Sequence, residues 1–245
     1  MKQGFVKVAS ATPRIRVADP VYNAQVICEQ AKEAAEHGAK IVVFPELCIT
    51  GYTCNDLFLQ ELLLEKAKEA LLTIAEETGQ LETLFLVGLP VDKDGRLYNV
   101  AAVLYRGRIL GMIPKKNIPM YAEFYEGRHF TPGEETVTEY RLGKQVIPFG
   151  SNLLFRCEEL PELILGCELC EDLWVAEPPS TSHALMGATV IANLSASNET
   201  VSKDDYRTLL IKASSARLLC GYIYTSAGEG ESTQDLVFGG HDLIA

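Results

Sequence analysis

Residues 163–174 read LILGCELCEDLW and contain a thiol just past an apolar run. The apolar start of this stretch predicts a buried strand, and the acidic residues after Cys170 predict a loop. Open sheets commonly hold their reactive groups just beyond strand ends, so the Cys170 thiol is a candidate nucleophile. The carboxylate of Glu46 and the amine of Lys115 follow apolar runs in the same way. Three groups of complementary chemistry at three strand ends predict an active site.

The composition indicates a globular protein and argues against several classes of partner. The chain has 245 residues, of which 47% are hydrophobic and 22% charged, which suits one large α/β domain or two small ones. No apolar run approaches the ~18 residues of a membrane span. Residues 1–4 lack the apolar core of a secretory signal, so we expect a cytoplasmic protein. The net charge of −11 argues against a nucleic acid or an anionic membrane as partner.

The seven cysteines are spread through apolar segments, which favours reduced thiols over a disulfide framework. Cys167 and Cys170 have the spacing of a redox pair or of half a zinc site. No second ligand pair with suitable spacing accompanies them, so we expect no metal. Redox pairs usually lie at a helix start, with Trp or Pro before the motif. A buried structural thiol is the commonest role of a free cysteine, and we assign it to Cys167 but not to Cys170.

Strand-like and helix-like segments alternate along the chain, which predicts sheets covered by helices in a single domain. Asp19-Pro20 predicts the start of one helix, and Asn55-Asp56 predicts the cap of a second. Residues 116–150 are predicted to be rich in loops. Strands are predicted at residues 5–9, 41–44, 84–88, 99–105, 109–113, 163–167, 189–194 and 222–226, with a hairpin across 106–108, helix ends near 38 and 79, and further helices around 183 and at 204–219.

A cysteine nucleophile needs a group that takes its proton or stabilises its thiolate. Because no histidine falls at a convincing strand end, the candidates are Glu46, which could accept the Cys170 proton, and Lys115, which could stabilise an oxyanion. On residue type alone, Glu46 is equally well a helix-capping acid and Lys115 a surface lysine. Residues 193–198 (NLSASN) either line a pocket or make a turn.

Taken together, these segments resemble the nitrilase (carbon–nitrogen hydrolase) superfamily. The matching stretches are VFPEL at 43–47, TGY at 50–52, PK at 114–115 and CED at 170–172. The resemblance places the family's catalytic triad on Glu46, Lys115 and Cys170, and it implies the α+β class and a four-layer αββα sandwich. It also implies amide hydrolysis through a thioester. Glu46 would take the thiol proton, while Lys115 and the backbone N–H of Glu171 would hold the oxyanion.

A closer likeness is to the glutaminase domains of glutamine-dependent NAD synthetases, carried by residues 114–126 (PKKNIPMYAEFYE), 170–174 (CEDLW), 193–197 (NLSAS) and 235–240 (DLVFGG). It implies that Glu126 orients Lys115 or the substrate. Where relatives carry Arg at the position of Lys203, the geometry would differ, because Lys lacks the bidentate fork. The side chains implied to bind glutamine are Tyr52, Tyr121, Phe124, Glu126, Glu171, Ser197 and Lys203.

NAD synthetases of this type carry a second domain that uses ATP to adenylate nicotinic acid adenine dinucleotide. Its Ser-Gly-Gly-x-Asp-Ser loop does not occur in residues 1–245. We therefore expect residues 1–245 to be an amidohydrolase domain truncated at its C-terminal end. It would have no cofactor of its own, ATP and Mg belonging to the synthetase domain. Alone, it would release ammonia rather than make NAD.

The likeness also implies a homo-oligomer. The alternatives are a free-standing amidase acting on another small amide or carbamoyl compound, and a non-catalytic module that keeps the fold without the chemistry.

Overall fold

The computed structural model of the chain describes residues 4–233 and 235–245. The strands form one seven-stranded sheet and one five-stranded sheet, in the orders β1-β2-β3-β4-β5-β7-β6 and β12-β11-β10-β9-β8. In chain order the elements are β1 (Val8–Ser10), α1 (Pro20–Glu36), β2 (Ile41–Val43), α2 (Glu61–Glu77), β3 (Leu84–Lys93), β4 (Arg96–Tyr105), β5 (Arg108–Pro114), β6 (Thr138–Leu142), β7 (Gln145–Phe149), β8 (Leu154–Arg156), β9 (Ile164–Leu169), α3 (Pro179–Leu185), β10 (Val190–Ser195), α4 (Lys203–Leu218), β11 (Gly221–Ser226) and β12 (Leu243–Ile244), with 3₁₀ helices at Tyr52–Leu59, Glu126–Arg128 and Cys170–Leu173.

Four layers result because both sheets are apolar on both faces. The inner faces pack together, with Val43 and Leu86 of the seven-stranded sheet against side chains such as Cys167 and Ala192 of the five-stranded sheet. Helices α1 and α2 cover the outer face of the larger sheet. Helix α4 covers that of the smaller sheet through Ile211, and α3 also lies on this side. The predicted fold class, an α+β sandwich with αββα layers, is confirmed.

Strand direction brings the candidate groups to one edge of the sandwich. Strands β1, β2 and β3 are parallel, and β5 runs in the same direction because two antiparallel pairings separate it from β3. Strands β9, β10 and β11 are parallel in the other sheet. The segments that follow β2, β5, β9 and β10 therefore lie at this edge. They carry the residues of the candidate site, as described below.

Two local predictions are confirmed. Helix α1 begins at Pro20, and the carboxylate of Asp19 accepts a hydrogen bond from the Tyr22 backbone N–H at 3.1 Å. The hairpin between β4 and β5 turns through Arg106 and Gly107, whose φ angles of 47° and 75° are those of a tight two-residue turn.

The predicted cap of the second helix is wrong. Asn55 and Asp56 lie in the 3₁₀ helix Tyr52–Leu59, and α2 begins only after Gln60. The Asp56 carboxylate instead binds the side chains of Arg128 and His129. A tertiary contact has therefore taken the carboxylate that would have capped the helix.

The prediction of a loop-rich segment at 116–150 misses the hairpin β6–β7. In β6 the side chains of Tyr140 and Leu142 are buried while their neighbours are exposed, so the alternation of a strand is present in the sequence. The first strand is displaced from residues 5–9 to Val8–Ser10. The prediction that residues 1–4 are no secretory signal falls mostly on residues 1–3, which lie outside the described residues.

All seven cysteines are described, and all are free thiols. Among residues 4–233 and 235–245, no helix has both the length and the apolar character needed to cross a membrane.

Candidate active site

Glu46 lies in a tight turn that follows β2 and passes through Leu47, whose φ is 52°. Its carboxylate is fully buried. One oxygen accepts hydrogen bonds from Asn99 Nδ2 and Lys115 Nζ, each at 2.7 Å, and the other accepts from the Ala196 backbone N–H at 2.9 Å. A helix-capping acid accepts hydrogen bonds from backbone N–H groups at the start of a helix. None of these three donors is such a group, so Glu46 is not a helix-capping acid.

The glycine at position 88 of β3 makes room for this turn. A Cβ atom there would lie 2.3 Å from the Leu47 backbone nitrogen and 2.6 Å from the Pro45 carbonyl oxygen. The turn also bonds to this strand through the Ile49 N–H, which donates to the Gly88 carbonyl at 3.1 Å. Close backbone contact with β3 thus fixes the position of the Glu46 side chain.

Lys115 directly follows β5 and is fully buried, so it is not a surface lysine. Its ammonium lies 2.7 Å from Glu46 Oε1 and 2.7 Å from Glu126 Oε1. The Tyr52 hydroxyl donates to Glu126 Oε1 at 2.8 Å. Burial by itself would lower the pKa of Lys115, but the charges of Glu126 and Glu46 hold that pKa well above its usual value. Lys115 is therefore a fixed, buried cation.

Cys170 is the first residue of the 3₁₀ helix after β9, and its φ of 41° lies in the left-handed region. Its backbone N–H donates to Asn193 Oδ1 at 3.1 Å. Burial, together with the charge of Glu46, raises the pKa of the thiol to about 12, although Lys115 acts in the opposite direction. The thiol is therefore protonated at neutral pH, and nucleophilic attack requires a base beside it.

Cys167 contributes to the apolar core between the two sheets, as expected for a structural thiol. Across residues 4–233 and 235–245, no group of three or more His, Cys, Asp or Glu side chains is arranged to hold a metal ion.

Four of the residues implied to bind substrate surround the turn at Cys170. The Tyr121 hydroxyl donates to Glu171 Oε2 at 2.9 Å, and the rings of Tyr121 and Phe124 lie 5.9 Å apart. The Lys203 ammonium lies 5.3 Å from the Phe124 ring centroid and 5.5 Å from that of Trp174. Acidic, basic and aromatic side chains thus stand together, whereas Tyr52 and Glu126 lie deeper, against Lys115.

The segment 193–198 both turns and faces the site. Ala196 supplies an N–H to Glu46, and the buried Ser197 hydroxyl accepts a hydrogen bond from Arg207 at 3.2 Å. Arg207 is fully buried and also donates to the Asn198 carbonyl at 3.1 Å. Lys203 is the predicted basic residue here, whereas Arg207, one helical turn later, was not predicted to belong to the site. Arg207 precedes the buried Ile211 by four residues, so the two side chains lie on the same face of the helix. This spacing was the signal in the sequence that Arg207 is buried.

The site is assembled from both sheets. Glu46 and Lys115 follow strands of the seven-stranded sheet, whereas Cys170 follows a strand of the five-stranded sheet. A buried thiol, a buried carboxylate and a buried ammonium group thus belong to one site, and side chains of these types can serve acyl transfer through a covalent intermediate.

The sequence of this chain matches the model of the carbon-nitrogen hydrolase family over residues 7–244. It is 42% identical over 243 residues to the glutamine-dependent NAD(+) synthetase of Mycobacterium tuberculosis strain H37Rv, covering 99% of this chain and 36% of that protein. The crystal structure of a glutamine-dependent NAD(+) synthetase from Cytophaga hutchinsonii superposes with a TM-score of 0.87 at 29% identity, over 98% of this chain and 38% of that one. An amidase from Nesterenkonia sp. has the same fold, with a TM-score of 0.75 at 20% identity over 100% of this chain and 83% of the amidase.

The chain belongs to the carbon–nitrogen hydrolase family. It spans little more than a third of the length of the NAD(+) synthetases that it matches, 36% of the M. tuberculosis protein and 38% of the C. hutchinsonii structure.

Proposed function

We propose that this chain is a glutamine amidohydrolase domain that supplies ammonia to a synthetase domain for the amidation of nicotinic acid adenine dinucleotide to NAD. The observation that carries the proposal is the Lys115 ammonium, fixed by Glu46 beside the turn of Cys170. The match to NAD(+) synthetases across 99% of this chain supports glutamine as the amide donor.

The first half of the reaction forms a thioester. Glu46 takes the Cys170 proton as the sulfur attacks the side-chain carbonyl carbon of glutamine. The oxyanion that forms is stabilised by the Lys115 ammonium and by the backbone N–H of Glu171, which lies in the first turn of a helix and so has no partner within it. When the C–N bond breaks, the proton held by Glu46 passes to the leaving nitrogen, and ammonia departs.

The second half of the reaction returns the enzyme to its starting state. Glu46 takes a proton from a water molecule whose oxygen attacks the thioester carbon, and the same donors hold the second oxyanion. The C–S bond then breaks, Glu46 returns its proton to the sulfur, and glutamate leaves. Glu126 acts by holding Lys115 in place throughout both halves.

Recognition of free glutamine requires one anionic and one cationic partner for its ammonium and carboxylate groups. Glu171, with the Tyr121 hydroxyl beside it, provides the anionic partner. Lys203 provides the cationic partner, directed by the rings of Phe124 and Trp174. Ser197 and Tyr52, which are both buried, are the remaining side chains that we propose to contact glutamine.

We propose that residues 1–245 form a single amidohydrolase domain without a cofactor of its own. ATP and Mg act in the synthetase domain, which is the partner in the full-length protein. We further propose a cytoplasmic location and a homo-oligomer, and light scattering of the purified chain measures the latter.

The test is glutamine hydrolysis by the purified chain, followed as glutamate and ammonia in equal amounts. We expect Cys170→Ala to abolish both products, and Cys167→Ala, which alters a core thiol outside the site, to retain them. Mass spectrometry of the acid-quenched reaction should detect a glutamyl adduct on Cys170. Undiminished hydrolysis by Cys170→Ala would overturn the proposal.

The alternative is a free-standing amidase acting on another small amide or carbamoyl compound, since the amidase from Nesterenkonia sp. shares this fold. A panel of small amides and carbamoyl compounds separates the two functions. A kcat/KM higher for any of these compounds than for glutamine favours the alternative.

A further inference from the structure

Glu168 is a buried carboxylate outside the proposed triad, two residues before Cys170 on β9. Cys167 and Leu169 face the core between the sheets, so Glu168 projects from the opposite face of the strand. It is 1% exposed. One of its oxygens accepts a hydrogen bond from the Ser180 backbone N–H at 2.8 Å, and the other accepts from the Tyr222 hydroxyl.

A series of hydrogen bonds connects this carboxylate to the backbone of the nucleophile. The Cys170 N–H donates to Asn193 Oδ1 at 3.1 Å, and Asn193 Nδ2 donates to the Tyr222 oxygen at 3.2 Å. The direction of the series is fixed, because a backbone N–H can only donate and the asparagine must present its oxygen there. The Tyr222 hydroxyl hydrogen is then left to point at Glu168.

The conformation of Cys170 explains why its N–H needs such a partner. A φ of 41° is unfavourable for a residue with a Cβ atom and persists only where surrounding structure restrains it. The orientation of the backbone at Cys170 sets the direction of its Cα–Cβ bond, and this limits the positions that the sulfur can take. The hydrogen bond to Asn193 thus restrains the backbone from which the attacking sulfur projects.

We propose that Glu168 is a positioning residue for Cys170, acting through Tyr222 and Asn193. The catalytic readouts below rest on the proposed amidohydrolase function, whereas the exchange and alkylation readouts do not. Burial, with a smaller contribution from the nearby charge of Asp172, raises the pKa of Glu168 to about 7, against the lowering effect of the Tyr222 and Ser180 donors. Burial thus disfavours the charged form of the Glu168 carboxyl group, and the fold nevertheless retains that group at this position.

The first test is Tyr222→Phe, which removes the hydroxyl in the middle of the series and keeps the ring. We expect kcat for glutamine to fall by about tenfold with KM changed less than twofold, because a lost buried hydrogen bond displaces the nucleophile and leaves the binding groups in place. The control is Tyr140→Phe, another buried tyrosine, which lies in β6 at the edge of the seven-stranded sheet.

Two readouts do not depend on turnover. Amide hydrogen exchange should accelerate at Cys170 in Tyr222→Phe and remain unchanged at Leu165 and Cys167 of the same strand. The rate at which iodoacetamide alkylates Cys170, resolved by peptide mass spectrometry, should fall in parallel with kcat. Faster exchange along all of β9 would instead show that Tyr222 only supports the fold, and would overturn the proposal.

The second test combines Tyr222→Phe with Glu168→Gln. Since both residues act in one series, the double variant should lose no more activity than the more impaired single variant. Losses that multiply, or a Tyr222→Phe rate equal to that of Tyr140→Phe, would overturn the proposal. If the unaltered chain hydrolyses no glutamine, the proposed function fails, and the exchange and alkylation rates still decide the role of Glu168.

Discussion

The Asp172 carboxylate accepts two hydrogen bonds from Asn117, one from the backbone N–H and one from the side-chain amide, each at 2.8 Å. Asp172 lies in the 3₁₀ helix that begins at Cys170, and Asn117 follows two residues after Lys115. The same carboxylate accepts the Leu169 N–H at 3.0 Å. This pair therefore holds the turn that carries the thiol against the segment that carries the ammonium.

Asp172→Asn should separate these two segments, because its amide group would face N–H donors where the carboxylate accepts. We expect kcat to fall at least tenfold and the free energy of unfolding to fall by about 2–3 kcal/mol. Glutamine kinetics and urea unfolding measure the two effects. Asp92→Asn, at an exposed position of β3, is the control. An Asp172→Asn variant with unaltered kcat would contradict this role.

Lys115→Met should remove activity and destabilise the fold, because Glu46 and Glu126 would remain buried without their cation. The expected loss is about 3–5 kcal/mol in the free energy of unfolding. Lys115 acts to lower the pKa of the buried Glu126, so without Lys115 that pKa rises further in the folded state, and the loss should shrink as the pH falls from 8 to 5. Lys116→Met is the control, since Lys116 pairs with Glu135 at the surface. Equal stability losses in the two variants would be inconsistent with the buried cluster.

Gly88→Ala should disrupt the Glu46 turn, because the new Cβ would lie 2.3 Å from a backbone nitrogen. Backbone atoms cannot give way as a side chain can, so we expect a loss of about 3 kcal/mol or more in stability and a fall in kcat. Gly221→Ala is the matched control in a strand, where the nearest atom to the new Cβ is 3.8 Å away. Similar thermal unfolding of the two variants would refute the close-packing argument.

Glu168 should make stability depend on pH. Its pKa rises from 4.5 to about 7 on folding, so the folded state binds the proton more tightly than the unfolded state. The free energy of unfolding must therefore fall as the pH rises through this window, by up to about 3 kcal/mol for the full shift. Urea unfolding from pH 4 to 8 should show this slope in the unaltered protein and a smaller one in Glu168→Gln. Parallel pH profiles would argue against the shifted pKa.

The residues at strand ends were predictable because apolar runs that stop at a polar residue are a local signal. Glu46, Lys115 and Cys170 all carry that signal, and the structure places them at one edge of the sandwich. The start of α1 was equally local, since Asp19 caps a helix within its own segment.

The errors arose where a distant residue decides the outcome. Asp56 is a residue type that commonly caps helices, yet its carboxylate binds the side chains of Arg128 and His129 instead. The four-residue spacing of Arg207 from Ile211 indicates that it lies on the buried face of its helix, but only the turn at Ser197 and Asn198 shows what its guanidinium group binds. Neither contact leaves a pattern in a single sequence, because both partners lie far apart along the chain or on different elements.

The division of the site between two sheets has a consequence for folding. The Glu46 turn and the Lys115 strand end can form within one sheet, but Cys170 meets them only when the second sheet has docked, about 120 residues after Glu46 along the chain. A partly folded chain would therefore hold a thiol without its base. The Cys170 thiol should therefore become reactive late in folding and in a single step. The time at which this reactivity appears during refolding then measures when the two sheets dock.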